Sequence, residues 1–188
     1  MKVLIACEYS GRVREAFAKL GHEVLSVDLL PTEQPGNHYQ GNIEDVLYNG
    51  WDVMIGHPPC TYLTNSGVCH LHKDPTRWQK LDEGAAFFKL LLNAPIKMKC
   101  IENPIMHKYA IERIGGVKKS QVIQPWMFGH GETKATCLWL KNLPLLQHTK
   151  IVDGRTPRVH HASPGPDRWR ERSRTYPGIA AAMARQWG

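Results

Sequence analysis

Trp51-Asp-Val-Met-Ile-Gly-His-Pro-Pro-Cys-Thr-Tyr-Leu-Thr-Asn-Ser-Gly67 is the stretch on which the reading of the chain turns. Asp52 to Gly56 is a short apolar run closed by glycine, the pattern of a buried strand. His57-Pro58-Pro59 ends it, because proline has no N–H for a ladder and restricts the residue before it. Cys60 therefore sits on a stiff turn at the carboxyl end of a strand, with a polar loop behind it. In open α/β sheets that edge is where ligands bind. A thiol fixed there is a candidate nucleophile. The alternative is a buried structural cysteine, the usual state of a free thiol.

On either side of this stretch strand and helix patterns alternate. Lys2 to Cys7 reads as a first strand, and Arg12 to Leu20 as a helix with Val13, Ala16, Phe17 and Leu20 on one face. Gly21 ends the helix, and His22 to Val27 is a second strand stopping at Asp28. Pro31 to Asn37 is a turn-rich surface loop, and Gln40 to Val46 a third short element. Thr61 to about Trp78 reads as a long polar connection, the kind that often covers a site. Leu81 to Leu92 follows as an amphipathic helix, then Lys97 to Ile101 as a fifth strand ending at Glu102-Asn103-Pro104. A helix from about Ile105 to Ile114 stops at Gly115-Gly116. Gln121 to Gln124 and Ala135 to Leu140 are expected to pair as a hairpin at the sheet edge. Pro177 to Trp187 is an alanine-rich closing helix. The expectation is an α/β fold with a doubly wound, mostly parallel sheet. It puts Glu8 to Gly11, Asp28, Cys60 and Glu102 on one rim.

The 188 residues, 42% apolar and 22% charged, suit one soluble domain spanning 1–188. The first apolar run is too short for a signal peptide, and no stretch is long enough to span a membrane. Cysteines 7, 60, 69, 100 and 137 are odd in number and scattered, which fits reduced thiols in a cytoplasmic protein. Cys7, Cys100 and Cys137 fall in strands and read as core. The net charge of +7 is uneven. Lys150, Arg155, Arg158, Arg168, Arg170, Arg172 and Arg174 face only Asp153, Asp167 and Glu171 in a segment with no hydrophobic period. It reads as an extended basic insert within about 141–176. Arginine there suits bidentate phosphate contacts, hence a polyanionic partner such as nucleic acid. The plainer reading is a solvated loop.

Two pairs of positions carry chemistry. Asp28 lies about 20 residues after the end of the first strand, where a carboxylate accepts from ribose hydroxyls. Glu8-Tyr9-Ser10-Gly11 would bring backbone amides to the same ligand. Without a Gly-rich fingerprint, an adenosine cofactor lacking a pyrophosphate is favoured over a dinucleotide. Cys60 and Glu102 form the second pair. A thiolate and a carboxylic acid on neighbouring loops are what addition to an electron-poor heterocycle requires. For Glu102 the plainer role is a carboxylate at a helix N-terminus.

In order and content these residues resemble the DNA cytosine-5 methyltransferases, which use S-adenosylmethionine. Pro58-Pro59-Cys60 looks like that family's nucleophile loop, and Glu102-Asn103-Pro104 like its Glu-Asn-Val element. Cys7 to Gly11 is similar to its first motif, Asp28 to its acidic strand end, and Gly41-Asn42-Ile43 to its Gly-Asp-Ile element. Phe128-Gly129 through Thr136 looks like its Tyr-Gly to Gln-x-Arg-x-Arg segment, and Gly178 to Arg185 like its last motif. The resemblance implies that Cys60 attacks C6 of cytosine while Glu102 acts on N3. It implies further that Glu8, Tyr9, Ser10, Gly11, Asp28, Asn42 and Pro58 hold the cofactor, with Asn103 and Lys134 toward the substrate. Arg168, Arg170 and Arg172 are the candidate contacts to DNA. The chain departs from the family in lacking the glycines of the first motif, in Asn42 for an acid, and in Glu132, Lys134 and Thr136 for Gln, Arg and Arg. Between Lys141 and Tyr176 there is no room for the family's target-recognition domain.

Two substrate classes stay open: duplex DNA, and a free pyrimidine nucleotide or single-stranded nucleic acid. A reading of another class makes the chain a non-catalytic nucleic-acid-binding protein, or one with zinc on Cys69, His70 and His72 joined by Cys60 or His57, although that spacing matches no common zinc pattern. No metal is expected. His57, His130, His160 and His161 read as loop or surface histidines. Trp126 and Trp139 read as packing residues, either of which could stack on a base.

Overall fold

Buried apolar runs joined by helical crossovers pair in parallel, and those of the first hundred residues do so. The computed structural model describes residues 1–159, 161, 163, 165 and 168–188. Its strands are β1 (Lys2–Ala6), β2 (Glu23–Asp28), β3 (His38–Gln40), β4 (Val53–Gly56), β5 (Met98–Pro104), β6 (Gln121–Ile123) and β7 (Thr136–Lys141). They form one sheet in the order β3-β2-β1-β4-β5-β7-β6. β1 to β5 are parallel, and β7 runs antiparallel to both β5 and β6. The expected hairpin forms, with β7 inserted inside the sheet and β6 left as the edge.

The helices are α1 (Arg12–Ala18), α2 (Asn65–Val68), α3 (Thr76–Asn93), α4 (Lys108–Arg113), α5 (Arg168–Ser173) and α6 (Pro177–Trp187). α1 and α6 cover one face of the sheet, where Val13 and Phe17 meet Ile179, Met183 and Trp187 over Val3, Ile5 and Ile55. α3 and α4 cover the other, with Leu81, Phe88, Leu91 and Ala110 over Leu4, Met54 and Ile101. Helices on both faces make the sheet doubly wound. Cys100 and Cys137 are core residues, while Cys7 is only half-buried, just past β1.

Boundaries differ from the sequence reading at several elements: β5 runs on to Pro104, and the third element is β3 at His38–Gln40 followed by a turn over 43–45. α3 starts five residues before Leu81, at Thr76, because Trp78 packs on Tyr109 of α4 with ring centroids 5.2 Å apart. The 61–78 connection is shortened accordingly and holds the single turn α2. α4 begins only at Lys108, since 105–107 is engaged in sheet-like bonds to 63–65. The basic insert is not wholly extended: α5 forms within it and buries no residue. A helix with no apolar stripe leaves no periodic trace in sequence. Of that insert, His160 and Asp167 lie outside the described residues. Among the described residues no helix is long and apolar enough to cross a membrane.

Phe88 is fully buried and meets the Trp139 ring edge-on at 5.1 Å, joining α3 to β7. Truncating such a ring costs about 3–5 kcal/mol. Phe88→Ala should lose that much stability in urea unfolding, whereas Phe88→Leu should lose much less.

Candidate active site

β4 and β5 are neighbours, so their carboxyl-end loops leave the sheet side by side. After Gly56 the chain keeps one more sheet bond, His57 N–H to Ala6 O at 2.9 Å, before the prolines intervene. From there the loop carrying Cys60 is stitched to the loop following Glu102. Asn103 Nδ2 donates to the Pro58 carbonyl at 3.2 Å. Asn65 N–H reaches Ile105 O at 3.3 Å, and His107 N–H reaches Leu63 O at 3.0 Å. The His107 ring closes the seam, with Nε2 at 3.0 Å from Tyr62 O and Nδ1 accepting from Ala110 N–H as the cap of α4. Burial, with Arg113 adding, holds His107 below the ordinary histidine range against the Tyr62 bond. A neutral ring is what one donor and one acceptor nitrogen require.

Across this seam His57 Nδ1 lies 3.0 Å from Glu102 Oε2. Burial raises the Glu102 carboxyl, but the hydrogen bond and charge of His57, together with Lys134, outweigh it and hold the group below the ordinary range. Burial first, and the Glu102 carboxylate second, push the Cys60 thiol up, while Lys134 and Arg172 pull the other way. The resting state is a thiol beside a carboxylate. His57, on the loop after β4, is thus no surface histidine: its side chain is 10% exposed and engaged.

A cavity of about 1090 Å³ runs from this pair along the rim to the ends of β1 and β2. Pro58, Cys60, Glu102, Asn103 and Lys134 line one part of it, and Glu8, Tyr9, Ser10, Asp28 and Asn42 the other. Cys7 also lines it, at a left-handed φ of 58°, and burial with Asp28 pushes its thiol up to about 12. The Glu8 carboxylate is turned into the α1 turn, accepting from Ser10 Oγ at 3.0 Å, Val13 N–H at 2.8 Å and Arg14 N–H at 3.2 Å. It satisfies helix-start amides that would otherwise lack partners. Gly11 does not line the cavity. Its φ of 71° starts α1, and a Cβ there would meet the Arg14 guanidinium at 2.7 Å. Asp28 accepts from Leu30 N–H at 3.0 Å, and burial raises its carboxyl against that bond. Asn42 faces the cavity while its amide caps the 43–45 turn through Glu44, at 3.2 Å from the Glu44 N–H.

The end of the basic insert is drawn over this rim. Tyr9 Oη donates to Arg170 O at 3.0 Å and lies 2.8 Å from Ser173 Oγ, with its ring 5.8 Å from Trp169. Arg12 holds the Thr175 carbonyl at 3.0 Å. Lys134 Nζ donates to Arg172 O at 2.6 Å and to Arg174 O at 3.5 Å. Arg174 forks onto Glu33 at 2.9 and 2.6 Å. α5 therefore roofs the cavity with Trp169, Arg172 and Ser173. Arg168 and Arg170 do not line it, and the Arg170 guanidinium lies 5.5 Å from the Trp169 ring. The Lys134 ammonium, which burial pulls down against Glu102 and Cys60, serves the strap carbonyls in this state.

Two of the solved structures that resemble the chain show the extent of the likeness. One, described as a DNA modification methyltransferase encoded within a prophage (E. coli), aligns over 81% of this chain and 52% of its own, with TM-score 0.51 and 14% identity. The other, a methyltransferase of Entamoeba histolytica, aligns over 81% of this chain and 57% of its own, with TM-score 0.52 and 15% identity. The likeness is one of fold. This chain spans little more than half the length of either. No family model and no curated sequence matches it.

The sequence reading missed His57, Trp169 and Arg77. Neither Trp126 nor Trp139 lines the cavity: Trp126 lies under the Arg155 guanidinium at 3.7 Å, and Trp139 is core. Arg77, on the first turn of α3, lines the cavity with its guanidinium 4.9 Å from the Tyr62 ring. Its Nε is buried and hydrogen-bonded to no described residue. His130 is half-buried and accepts from Gly178 N–H at 3.0 Å, at the start of α6. Cys69, His70 and His72 do not converge with Cys60 or His57, since no three metal-ligating side chains gather among the described residues.

Alkylation checks the site's electrostatics. Exposed Cys69 should react with iodoacetamide first, and Cys60 slowly, with a midpoint above that of an ordinary thiol. Glu102→Gln, which removes a negative neighbour, should bring that midpoint down.

Proposed function

We propose that the chain transfers a methyl group from S-adenosylmethionine to C5 of cytosine in DNA through a covalent adduct with Cys60. The observation that carries this reading is one continuous cavity joining Cys60 and Glu102 to the carboxylate of Asp28. The residues fit the cofactor. Asp28, at the end of β2, suits ribose hydroxyls, and Leu29, Ile43 and Pro58 offer apolar surface to a flat base. The rim turn at Tyr9 and Ser10, beside Asn42, would hold the remainder. The bound cofactor would supply an electrophilic methyl group on a sulfonium.

The chain's own residues prepare the base. Cys60 Sγ, once deprotonated, adds to C6, and the electron pair of the C5=C6 bond is relayed toward N3. The carboxyl of Glu102 is placed to give N3 a hydrogen bond or a proton, which keeps charge from building on the ring. After C5 is methylated, loss of the C5 proton breaks the C6–S bond and frees the thiolate. Pro58 and Pro59 keep Sγ from retreating, and Asn103 fixes the Pro58 carbonyl. A base in a duplex would have to be flipped into the cavity, with Arg77 and Arg172 beside it for phosphate.

A second reading keeps the chemistry and changes the carrier to single-stranded nucleic acid or a free pyrimidine nucleotide. The α5 roof, tied across the rim by Tyr9, Arg12 and Lys134, favours it.

Methyl transfer to duplex DNA, single-stranded DNA and dCMP, measured in parallel over a salt series, separates the readings. A duplex substrate should show affinity falling with salt at a log–log slope of about 0.9 per neutralised phosphate. Turnover of dCMP alone would remove DNA from the reading. Cys60→Ser should lose transfer to every substrate while binding S-adenosylhomocysteine within about twofold of wild type. Asp28→Ala should weaken that binding by about tenfold, the loss of about one charged hydrogen bond. Binding unaffected by the Asp28 change would place the cofactor elsewhere.

A further inference from the structure

His57 has two nitrogens, and only one is accounted for by the Glu102 contact. Nδ1 lies 3.0 Å from Glu102 Oε2, while Nε2 is buried and hydrogen-bonded to no described residue. A second, small cavity of about 10 Å³ lies against this pair and shares His57, Glu102, Lys134 and Thr175 with the large one. Thr136 and Tyr176 add polar walls to it, and Ile179 and Met183 of α6 add apolar ones. One water needs about 10–15 Å³ and two or more polar partners, which this small cavity offers. The backbone N–H of His57 is bonded to the Ala6 carbonyl, which anchors the residue at the end of β4.

We infer that His57 is the positioning residue and proton partner of Glu102: the pair holds one shared proton, exchanged with solvent through a single water in the small cavity. The inference rests on the methyl-transfer reading of the same site. A carboxyl held below its ordinary range is ionised at neutral pH and has no proton of its own to give N3. The proposed pair carries one, held across the 3.0 Å contact between Nδ1 and Oε2. As the Cys60 thiolate bonds to C6, the electron pair reaching N3 takes that proton through Glu102, and Nδ1 is left neutral. When the C6–S bond breaks, N3 returns the proton to the pair. This arm consumes no proton, and the one lost from C5 leaves through the large cavity. Occupying Oε2 with Nδ1 also leaves the other carboxylate oxygen to face the substrate. The titratable groups against the pair are Lys134 ahead of β7, Tyr176 ahead of α6 and Cys60 on the His57 loop itself. Tyr176 is pushed up to about 12, by burial first and Glu132 next, and so stays a neutral hydroxyl.

His57→Phe and His57→Asn test this on the full chain. Phenylalanine removes both nitrogens; asparagine keeps an amide N–H near Nδ1 and removes the shared proton. His57→Phe should lower kcat by at least about 100-fold, the span of one general acid, with KM within about threefold. His57→Asn should recover part of that loss and move the alkaline limb of the pH–rate profile, where the proton donor is lost, to lower pH, because a carboxyl titrates about two pH units below an imidazole. A His57→Asn enzyme with the wild-type profile would overturn the shared proton. A readout free of turnover runs alongside: in ¹⁵N-histidine-labelled protein, Glu102→Gln should shift the His57 ring resonances and its titration midpoint. Resonances indifferent to that change would overturn the pairing. Wild-type protein that shows the pairing but transfers no methyl group would remove the proposed function and leave the pair standing.

Discussion

The hydrogen-bonded seam between residues 57–65 and 102–107 is the constraint on which the rest of the rim depends. Each loop alone is a short excursion from a strand end, with few apolar contacts of its own. Stitched together through Asn103, Asn65, the rings of His57 and His107 and the His107 backbone, they become an extension of the β4–β5 pairing into a region where β4 itself has ended. Backbone amides that proline forces out of the ladder are thereby given partners, which buried polar groups require. The seam also fixes Cys60 relative to Glu102 without help from a ligand. Preorganisation of this kind spares the substrate the cost of ordering two loops when it binds.

The strap over the rim is held on a different principle. Its bonds run from side chains of the rim to backbone carbonyls of the strap, from Tyr9 to residue 170, Arg12 to residue 175 and Lys134 to residues 172 and 174. Carbonyl acceptors are indifferent to side-chain identity, so these bonds hold the strap by its backbone. α5 buries nothing, and the Arg174–Glu33 fork is solvent-accessible, so it adds about 1 kcal/mol at most. A segment attached by a few hydrogen bonds and no core opens at low cost. The two halves of the rim thus combine a rigid floor at the reacting end with an openable roof above it.

What could be read from sequence divides along the same line. Strands β1, β2, β4 and β5 announced themselves as apolar runs, and Pro58, Pro59 and Pro104 marked where β4 and β5 leave the ladder, so the convergence of Cys60 and Glu102 followed from topology alone. His57 was illegible because its meaning lies in a partner 45 residues away, and a lone histidine before two prolines has no local signature. α5 was illegible for a reason of its own: its helix is stabilised by Tyr9 and Lys134 from outside, and no periodicity encodes that. Glu8 shows the converse. Its position on the rim was legible, but its carboxylate answers the orphan amides of α1, a demand that only the left-handed turn at Gly11 reveals.

The charges at the reacting end form a closed set whose members constrain one another. Cys60, Glu102, His57 and Lys134 line the same end of the cavity, each half-buried, where an uncompensated charge is costly. Glu102 ionised and Cys60 protonated is the arrangement that places one negative charge between two nitrogen-bearing partners. Forming the thiolate adds a second negative charge, and the neighbouring carboxylate opposes it. In the proposed reaction the opposition would disappear once the pair's proton had moved to the base, since the ring would then carry away the thiolate's electrons at C6 and the proton at N3 together. An electron-poor ring with an acceptor nitrogen, such as cytosine, would thus relieve the repulsion built into the site, and the loop that holds the thiol would not need to move.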